Sequence, residues 1–220
     1  MFLPKNGLRA VMASLLAAFF ALGAPEQARA DGLDPDALAA PDDCRTYIPG
    51  AARHHNVPAG LLEAIAMAES GRPGAPWPWT LNIAGEPYWL ADVSRIEDLV
   101  TVNGQLRDDV ALGCMQIFTK YHKDNFDHWR QMIDPRNNVY YAAWFLRKLY
   151  LRHGSWTKAV GHYHASTNNH YDQRRYACIV MHHQIALGRG TLTQSALDFC
   201  SGNFAQYLRP QDLGVQTAGR

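Results

Sequence analysis

The chain has 220 residues, of which 47% are hydrophobic and 19% are charged, and this composition suffices for one compact domain with a real core. Its formal net charge is +1 with neutral histidines. A nearly neutral chain lacks the strong basic field that attracts nucleic acid, so nucleic-acid binding is excluded as its main function.

The first thirty residues, 1–30, are expected to form a secretory signal peptide. Lys5 and Arg9 precede the apolar run VMASLLAAFFALGA, and the small-residue cleavage pattern ARA follows it. The run is too short for a comfortable membrane span, and no later segment is long enough either. We therefore predict a soluble exported protein whose mature chain starts at Asp31 and has no membrane span.

The mature chain contains all four cysteines, Cys44, Cys114, Cys178 and Cys200. In an oxidising compartment they could form up to two disulfides, and their spacing leaves all three pairings open. The sequence has no CxxC or HExxH motif, and neighbouring histidines such as His54 and His55 point to different sides of a helix. We therefore expect no metal site.

The mature chain divides into three predicted parts. Residues 31–41 are rich in Ala, Asp and Pro and are expected to be a mobile leader. No internal repeat or low-complexity tract follows, so residues 42–205 are predicted to form one mainly helical domain. Residues 206–220 are expected to be a C-terminal tail with a loose end.

Two helices are predicted at the start of this domain. Asp42 or Asp43 can cap the first helix, which runs to about His55 before the NVP sequence interrupts it. Pro58 is well placed to open the second helix, which runs to Glu69. Two shorter helices are expected further along, at about 96–100 and about 113–120.

Stronger helix signals occur in the second half of the chain. Asp134 can cap a helix that Pro135 opens, and its apolar stripe ends at Gly154. Ser155 can then cap a helix over SWTKAVGHYH. Two more helices are expected, from about Tyr171 to Leu187 and around 195–199.

Glu69 is the charged residue whose position most needs an explanation. In the second helix it shares a face with the apolar Leu62 and Ile65, whereas Glu63 lies well off that face. Burial and the negative end of the helix dipole both favour a neutral carboxyl group, and a general acid must be protonated before it acts. The alternative is an ion pair between Glu69 and Arg72 or another surface arginine.

Four motifs follow one another in a recognisable order. They are the Glu69-Ser70 pair, GCMQ at 113–116, the DPRNNVYYAAWFL stretch, and YHAS at 163–166. This order resembles that of the soluble lytic transglycosylases with a goose-lysozyme-like domain, in which a catalytic ES pair precedes GLMQ, a DPxxNI helix and AYNAG. The resemblance covers roughly residues 54–176. It implies a mainly α, lysozyme-like fold with a small β-hairpin and aromatic insertion after the catalytic helix.

The resemblance also implies a reaction. Glu69 would protonate the glycosidic oxygen between N-acetylmuramic acid and N-acetylglucosamine in periplasmic peptidoglycan. It would then remove the proton from the muramoyl O6 hydroxyl, which attacks C1 and leaves a 1,6-anhydro end without a cofactor or metal. Participation by the substrate's N-acetyl group removes the need for the second carboxylate that most glycosidases use.

The connection between Glu69 and Gly113 is longer than a simple loop in a compact domain, and we expect it to build part of a cleft. In PWPWTLN, Trp77 and Trp79 lie on one side of an extended strand, and IAGEPY turns the chain back as a hairpin. Aromatic faces beside amide and hydroxyl groups suit a sugar ring, although tryptophans can instead fill a core. The residues expected to bind or orient the substrate are Ser70, Trp79, Tyr88, Met115, Gln116, Tyr163 and His164.

The chain departs from the family pattern at three positions. Cys114 replaces a leucine, and His164 and Ser166 replace an asparagine and a glycine. Asparagine and histidine can both donate a hydrogen bond, but an imidazole adds pH dependence.

Two other functions are compatible with the sequence. One is a hydrolytic muramidase on the same fold, in which Asp108 or Asp109 activates water. The other is a wall-binding assembly factor with little catalytic activity, since the altered YHAS motif permits a weakened site. Besides peptidoglycan strands, an envelope-spanning assembly is a candidate partner.

Overall fold

A computed structural model describes residues 43–72 and 74–213 of the chain. The expected signal peptide (1–30) and leader (31–41) lie outside the described residues, as does the end of the expected tail (214–220). Within the described ranges, no helix combines the length and the apolar character needed to cross a membrane.

Helices dominate the described chain, as the sequence predicts. In chain order they are α1 (Ile48–His55), α2 (Ala59–Ser70), α3 (Ile96–Val100), α4 (Thr119–His122), α5 (Trp129–Ile133), α6 (Pro135–His153), α7 (Trp156–His164), α8 (His170–Ala186) and α9 (Gln194–Phe199). Short 3-10 helices lie at Cys44–Thr46, Lys123–Asn125, Gly202–Leu208 and Pro210–Leu213. The first predicted helix is therefore divided, because a 3-10 turn capped by Asp43 precedes α1.

The predicted start and end of α6 are confirmed. The Asp134 carboxylate accepts a hydrogen bond from the Asn137 N–H at 2.8 Å, and Pro135 occupies the first helical position. Gly154 ends the helix with a φ of +68°, a left-handed conformation that a residue without a Cβ adopts readily. Local sequence therefore defines both ends of this helix.

The strands are short and lie between α2 and α4. They are β1 (Gly71–Arg72), β2 (Ala75–Pro76), β3 (Thr80–Ile83), β4 (Glu86–Trp89), β5 (Thr101–Val102), β6 (Gln105–Leu106), β7 (Val110–Leu112) and β8 (Ile117–Phe118). Four of them form an antiparallel sheet in the order β4-β3-β7-β8, whereas β1-β2 and β5-β6 are two-stranded ribbons.

The hairpin formed by β3 and β4 confirms the turn that the sequence predicts at IAGEPY. Ala84 and Gly85 connect the strands and have φ angles of +52° and +96°. Two-residue loops with positive φ match the right-handed twist of paired strands. The Asn82 side chain accepts a hydrogen bond from the Gly85 N–H at 3.0 Å and helps to fix the loop.

The segment from Gly113 to Lys120 is not the helix that the sequence predicts. Residues 113–116 form a turn, and α4 begins only at Thr119. Gly113 and Gln116 have φ angles of +78° and +47°, which are incompatible with a right-handed helix. A Cβ on Gly113 would lie 2.5 Å from Nδ2 of Asn138, so this turn requires glycine.

The main core joins the helices to the sheet, with α2 packed against α1 and α8. Leu62 and Ile65, the apolar residues on the Glu69 face of α2, are fully buried. A second apolar cluster surrounds Cys178 and includes Leu208 and Leu213. The packed region therefore continues past the expected boundary at residue 205.

The structure selects one of the three disulfide pairings. Cys44 pairs with Cys114, with Cα atoms 6.5 Å apart, and joins the N-terminal 3-10 helix to the turn at 113–116. Cys178 pairs with Cys200, with Cα atoms 5.8 Å apart, and joins α8 to the residue after α9.

The expectation that Trp79 offers its ring to a sugar is wrong. Trp79 is only 4% exposed and belongs to the main core, because β4 folds back beside it and the Leu90 N–H donates to its carbonyl oxygen at 3.0 Å. Trp77 is half-buried, and its indole Nε1 donates to the Leu90 carbonyl oxygen at 2.8 Å. Tyr88, on the edge strand β4, is 39% exposed and remains a candidate contact.

The different burial of Trp79 and Tyr88 predicts effects of very different size on stability. Trp79→Ala should lower the free energy of unfolding by about 3–5 kcal/mol, because it empties a large part of the core. Tyr88→Ala should change it by less than about 1 kcal/mol, because Tyr88 lies on an edge strand, is 39% exposed and does not belong to the main core. Denaturant unfolding of both variants measures the difference, and a Trp79→Ala protein as stable as the unsubstituted one would contradict the burial of this ring.

Candidate active site

Glu69 lies in the last turn of α2, and its side chain is only 11% exposed. Its Oε1 accepts a hydrogen bond from the Tyr176 hydroxyl at 2.6 Å, and His164 Nδ1 lies 3.6 Å from the same oxygen. The guanidinium of Arg72 instead lies beside tryptophan rings. Within the described residues, the alternative of an arginine partner for Glu69 is therefore not observed.

Two tyrosines surround this carboxyl group. Burial and the nearby charge of Glu69 raise the pKa of Tyr163 and of Tyr176 well above the usual value. Both phenols therefore remain protonated and act as donors. Tyr176 donates to Glu69, and Tyr163 donates to the Met115 carbonyl oxygen at 2.7 Å.

His164 ends α7 and is the solvent-facing member of the cluster, with 36% of its side chain exposed. Its ring stacks on the Tyr176 ring with centroids 4.2 Å apart and an interplanar angle of 3°. The stack holds the imidazole beside the Glu69 carboxyl group while leaving an edge open to solvent. His164 therefore faces both solvent and the glutamate, and its contact with a bound sugar remains a prediction.

Asn138 is a site residue that the sequence reasoning did not single out. It is fully buried on α6, its Oδ1 accepts from the Met115 N–H at 2.8 Å, and its Nδ2 donates to two carbonyl oxygens. Those oxygens belong to Leu112, at 2.8 Å, and Met132, at 2.6 Å. Because all of these bonds are buried, Asn138 fixes the 113–116 turn strongly. Its place in the DPRNNV motif was the signal that could have identified it.

Two predicted substrate-binding residues turn their side chains into the protein. Ser70 is 2% exposed and donates to the Cys114 carbonyl oxygen at 2.9 Å, and the Met115 side chain is fully buried. Neither side chain is therefore exposed to a substrate, and the expected role of Ser70 and of the backbone around Met115 in orienting the sugar stays a prediction. They hold the 113–116 turn against the end of α2 and so position the glutamate indirectly.

Gln116 is partly buried at the end of the same turn. Its Nε2 donates to the carbonyl oxygens of Gly113, at 2.8 Å, and Thr80, at 3.2 Å. These bonds stabilise a left-handed backbone at a residue that has a Cβ, and they tie the turn to β3. A contact between Gln116 and the substrate remains a prediction.

Asp108 and Asp109 precede β7, whereas the 113–116 turn follows it. Asp108 forms an exposed ion pair with Lys123 at 2.6 Å. Asp109 accepts two hydrogen bonds from Arg107, at 2.8 and 2.7 Å. Both aspartates therefore lie at the other end of β7 and have surface cations as partners, which is unfavourable for a second catalytic carboxylate.

A nearly buried glutamate at the end of a helix, oriented by a tyrosine beside a rigid turn, is an arrangement suited to acid–base chemistry of the lysozyme-like class. In the described residues, no group of three or more His, Cys, Asp or Glu side chains could hold a metal ion.

Residues 46–179, more than half of the chain, match the model of the family described as Transglycosylase SLT domain. The chain therefore belongs to this family and is a peptidoglycan lytic transglycosylase with a lysozyme-like helical fold. No curated protein and no solved structure matches the chain.

Removing each disulfide tests whether a rigid 113–116 turn is needed for activity. In the loop-entropy description, loss of the Cys44–Cys114 disulfide destabilises the fold by about 4 kcal/mol and loss of Cys178–Cys200 by about 3 kcal/mol. Cys44→Ala/Cys114→Ala should also lower peptidoglycan turnover several-fold at a temperature where the protein stays folded, because the turn beside Glu69 is released. Cys178→Ala/Cys200→Ala is the matched control, and an equal loss of turnover in both variants would contradict this role.

Proposed function

We propose that this enzyme cleaves the β-1,4 bond between N-acetylmuramic acid and N-acetylglucosamine and leaves 1,6-anhydro-muramoyl ends. The observation that carries the proposal is the setting of Glu69, which is nearly buried, held by Tyr176 and close to His164. The two aspartates that could have assisted it are exposed in ion pairs of their own. A single acid–base residue therefore has to serve both proton transfers.

In the first step of the proposed reaction, protonated Glu69 donates its proton to the glycosidic oxygen as the bond between that oxygen and C1 breaks. The carbonyl oxygen of the substrate's N-acetyl group bonds to C1 and takes the place of a protein nucleophile. The hydrogen bond from Tyr176 then stabilises the Glu69 carboxylate.

In the second step, the Glu69 carboxylate removes the proton from the muramoyl O6 hydroxyl. O6 attacks C1, the bond from the N-acetyl oxygen breaks, and the anhydro ring closes. Glu69 is protonated again and no water is consumed. The side chains of Tyr88, Gln116, Tyr163 and His164 are the candidates for orienting the sugar during these steps.

We also propose that the protein is exported and acts in the periplasm. The signal-peptide pattern of residues 1–30 supports export. The two disulfides support the same location, because structural disulfides persist in oxidising compartments.

Glu69→Gln tests the assignment of the acid. Glutamine preserves the shape and accepts the Tyr176 hydrogen bond but cannot transfer a proton, so peptidoglycan solubilisation should fall by at least about 100-fold while the fold persists. Glu63→Gln is the matched control on the same helix, where the side chain pairs with Arg189 at 2.9 Å. It should retain normal activity, and a folded Glu69→Gln protein with normal activity would disprove the assignment.

Isotope incorporation separates transglycosylation from hydrolysis. In water labelled with heavy oxygen, mass spectrometry should find anhydro-muramoyl ends without the label, because O6 and not water attacks C1. Asp108→Asn and Asp109→Asn should leave most activity and the same products. Labelled reducing ends together with dependence on either aspartate would instead identify a muramidase on the transglycosylase fold.

A further inference from the structure

Arg72, three residues after Glu69, lies close to two tryptophan rings. Its guanidinium carbon is 5.9 Å from the Trp77 ring centroid and 5.2 Å from that of Trp89, distances at which cation–π attraction operates. Its side chain makes no hydrogen bond or ion pair with any of residues 43–72 and 74–213. Some other exposed arginines, such as Arg189 with Glu63, do have a carboxylate partner.

The backbone beneath Arg72 is held by several contacts. β1, which contains Arg72, pairs with β2, and Arg45 Nη1 donates to the Gly74 carbonyl oxygen at 3.0 Å across the connecting turn. The Trp77 ring is fixed by its hydrogen bond to the Leu90 carbonyl oxygen. A cation held in this way loses little conformational entropy when it binds a ligand.

Arg72 has no hydrogen-bond partner among the described residues, and this free capacity indicates the chemistry of a ligand. A guanidinium beside aromatic faces can still direct its edge N–H groups outward, and these groups match the two oxygens of a carboxylate. Trp89 is 40% exposed and Arg72 is also exposed, so a ligand can reach both from solvent. The site therefore suits a carboxylate attached to a larger molecule that packs on Trp89.

The distance from the catalytic residue restricts which molecule this is. Three residues of extended chain span at most about 11 Å, so the Arg72 backbone lies within about 11 Å of the Glu69 backbone. The muramoyl sugar carries a short peptide on its lactyl group, and that peptide has free carboxylates. A stem peptide extending from the sugar beside Glu69 is therefore within reach of Arg72.

We propose that Arg72, Trp77 and Trp89 form a binding site for a carboxylate of the peptidoglycan stem peptide. This inference rests on the proposed function, because it requires a muramoyl sugar bound beside Glu69. The site makes the enzyme act faster on glycan strands that carry peptides than on strands from which an amidase has removed them.

The test compares Arg72→Met with Arg136→Met on three substrates. Methionine keeps much of the apolar stem and removes the charge, and Arg136 is a matched control because it is exposed and lies 5.4 Å from the Tyr140 ring. The substrates are peptide-bearing strands, amidase-stripped strands, and peptide-bearing strands whose carboxylates have been converted to amides. Each variant is first checked for an unchanged melting temperature.

Arg72→Met should lower kcat/KM on peptide-bearing strands about tenfold, the effect of losing a hydrogen-bonded charge pair. On stripped strands, kcat/KM of Arg72→Met should stay within about twofold of the value for the unsubstituted enzyme. Arg136→Met should match the unsubstituted enzyme on all three substrates. Amidation of the strands should reduce the unsubstituted enzyme to the level of Arg72→Met. An equal loss on all substrates, or no loss on any, overturns the proposal.

A binding measurement keeps this test separate from the proposed reaction. In the Glu69→Gln background, tryptophan fluorescence titration should show that Arg72→Met weakens binding of peptide-bearing strands and leaves binding of stripped strands unchanged. Equal binding of the two strands to the Glu69→Gln protein overturns the carboxylate site. Reducing ends in place of anhydro ends would refute the proposed reaction and leave this binding result valid.

Discussion

The site depends on burying the Glu69 carboxyl group almost completely while still giving it a hydrogen-bond donor. Desolvating a carboxylate is costly unless donors replace the lost water, and the Tyr176 hydroxyl supplies the closest donor to Glu69 at 2.6 Å. These residues are 107 positions apart in the chain and meet because α2 packs directly against α8. The packing of α2 against α8 therefore brings the Tyr176 hydroxyl to the Glu69 carboxyl group.

A second requirement is a rigid backbone segment beside Glu69, and the 113–116 turn provides it. Asn138 satisfies the Met115 N–H, Tyr163 satisfies the Met115 carbonyl oxygen, and Ser70 bonds the Cys114 carbonyl oxygen. The disulfide to Cys44 adds a covalent tie at the position where the family usually has leucine. The turn is thus fixed from several helices, which limits the freedom of the groups around Glu69.

In the proposed function, the residues that carry the chemistry and the residue that recognises charge come from different elements. Glu69 and its tyrosine and histidine neighbours come from α2, α7 and α8, and helix packing leaves the Glu69 side chain only 11% exposed. Arg72 comes from a solvent-exposed ribbon directly after α2 and is stabilised by aromatic faces. The Arg72 guanidinium contacts the Trp77 and Trp89 rings and forms no ion pair with Glu69, whose partners are Tyr176 and His164.

The sequence by itself determined the features that local interactions control. These are the helix ends at Asp134 and Gly154, the β3–β4 hairpin, and the apolar face shared by Leu62, Ile65 and Glu69. Only the tertiary structure decided the disulfide pairing, the burial of Trp79 and the non-helical turn after Gly113. The Gly113 turn depends on Asn138, which is distant in sequence, and no local pattern reports that contact. The partners of Glu69 were decided in the same way, because residues brought together by packing leave no periodicity in the chain.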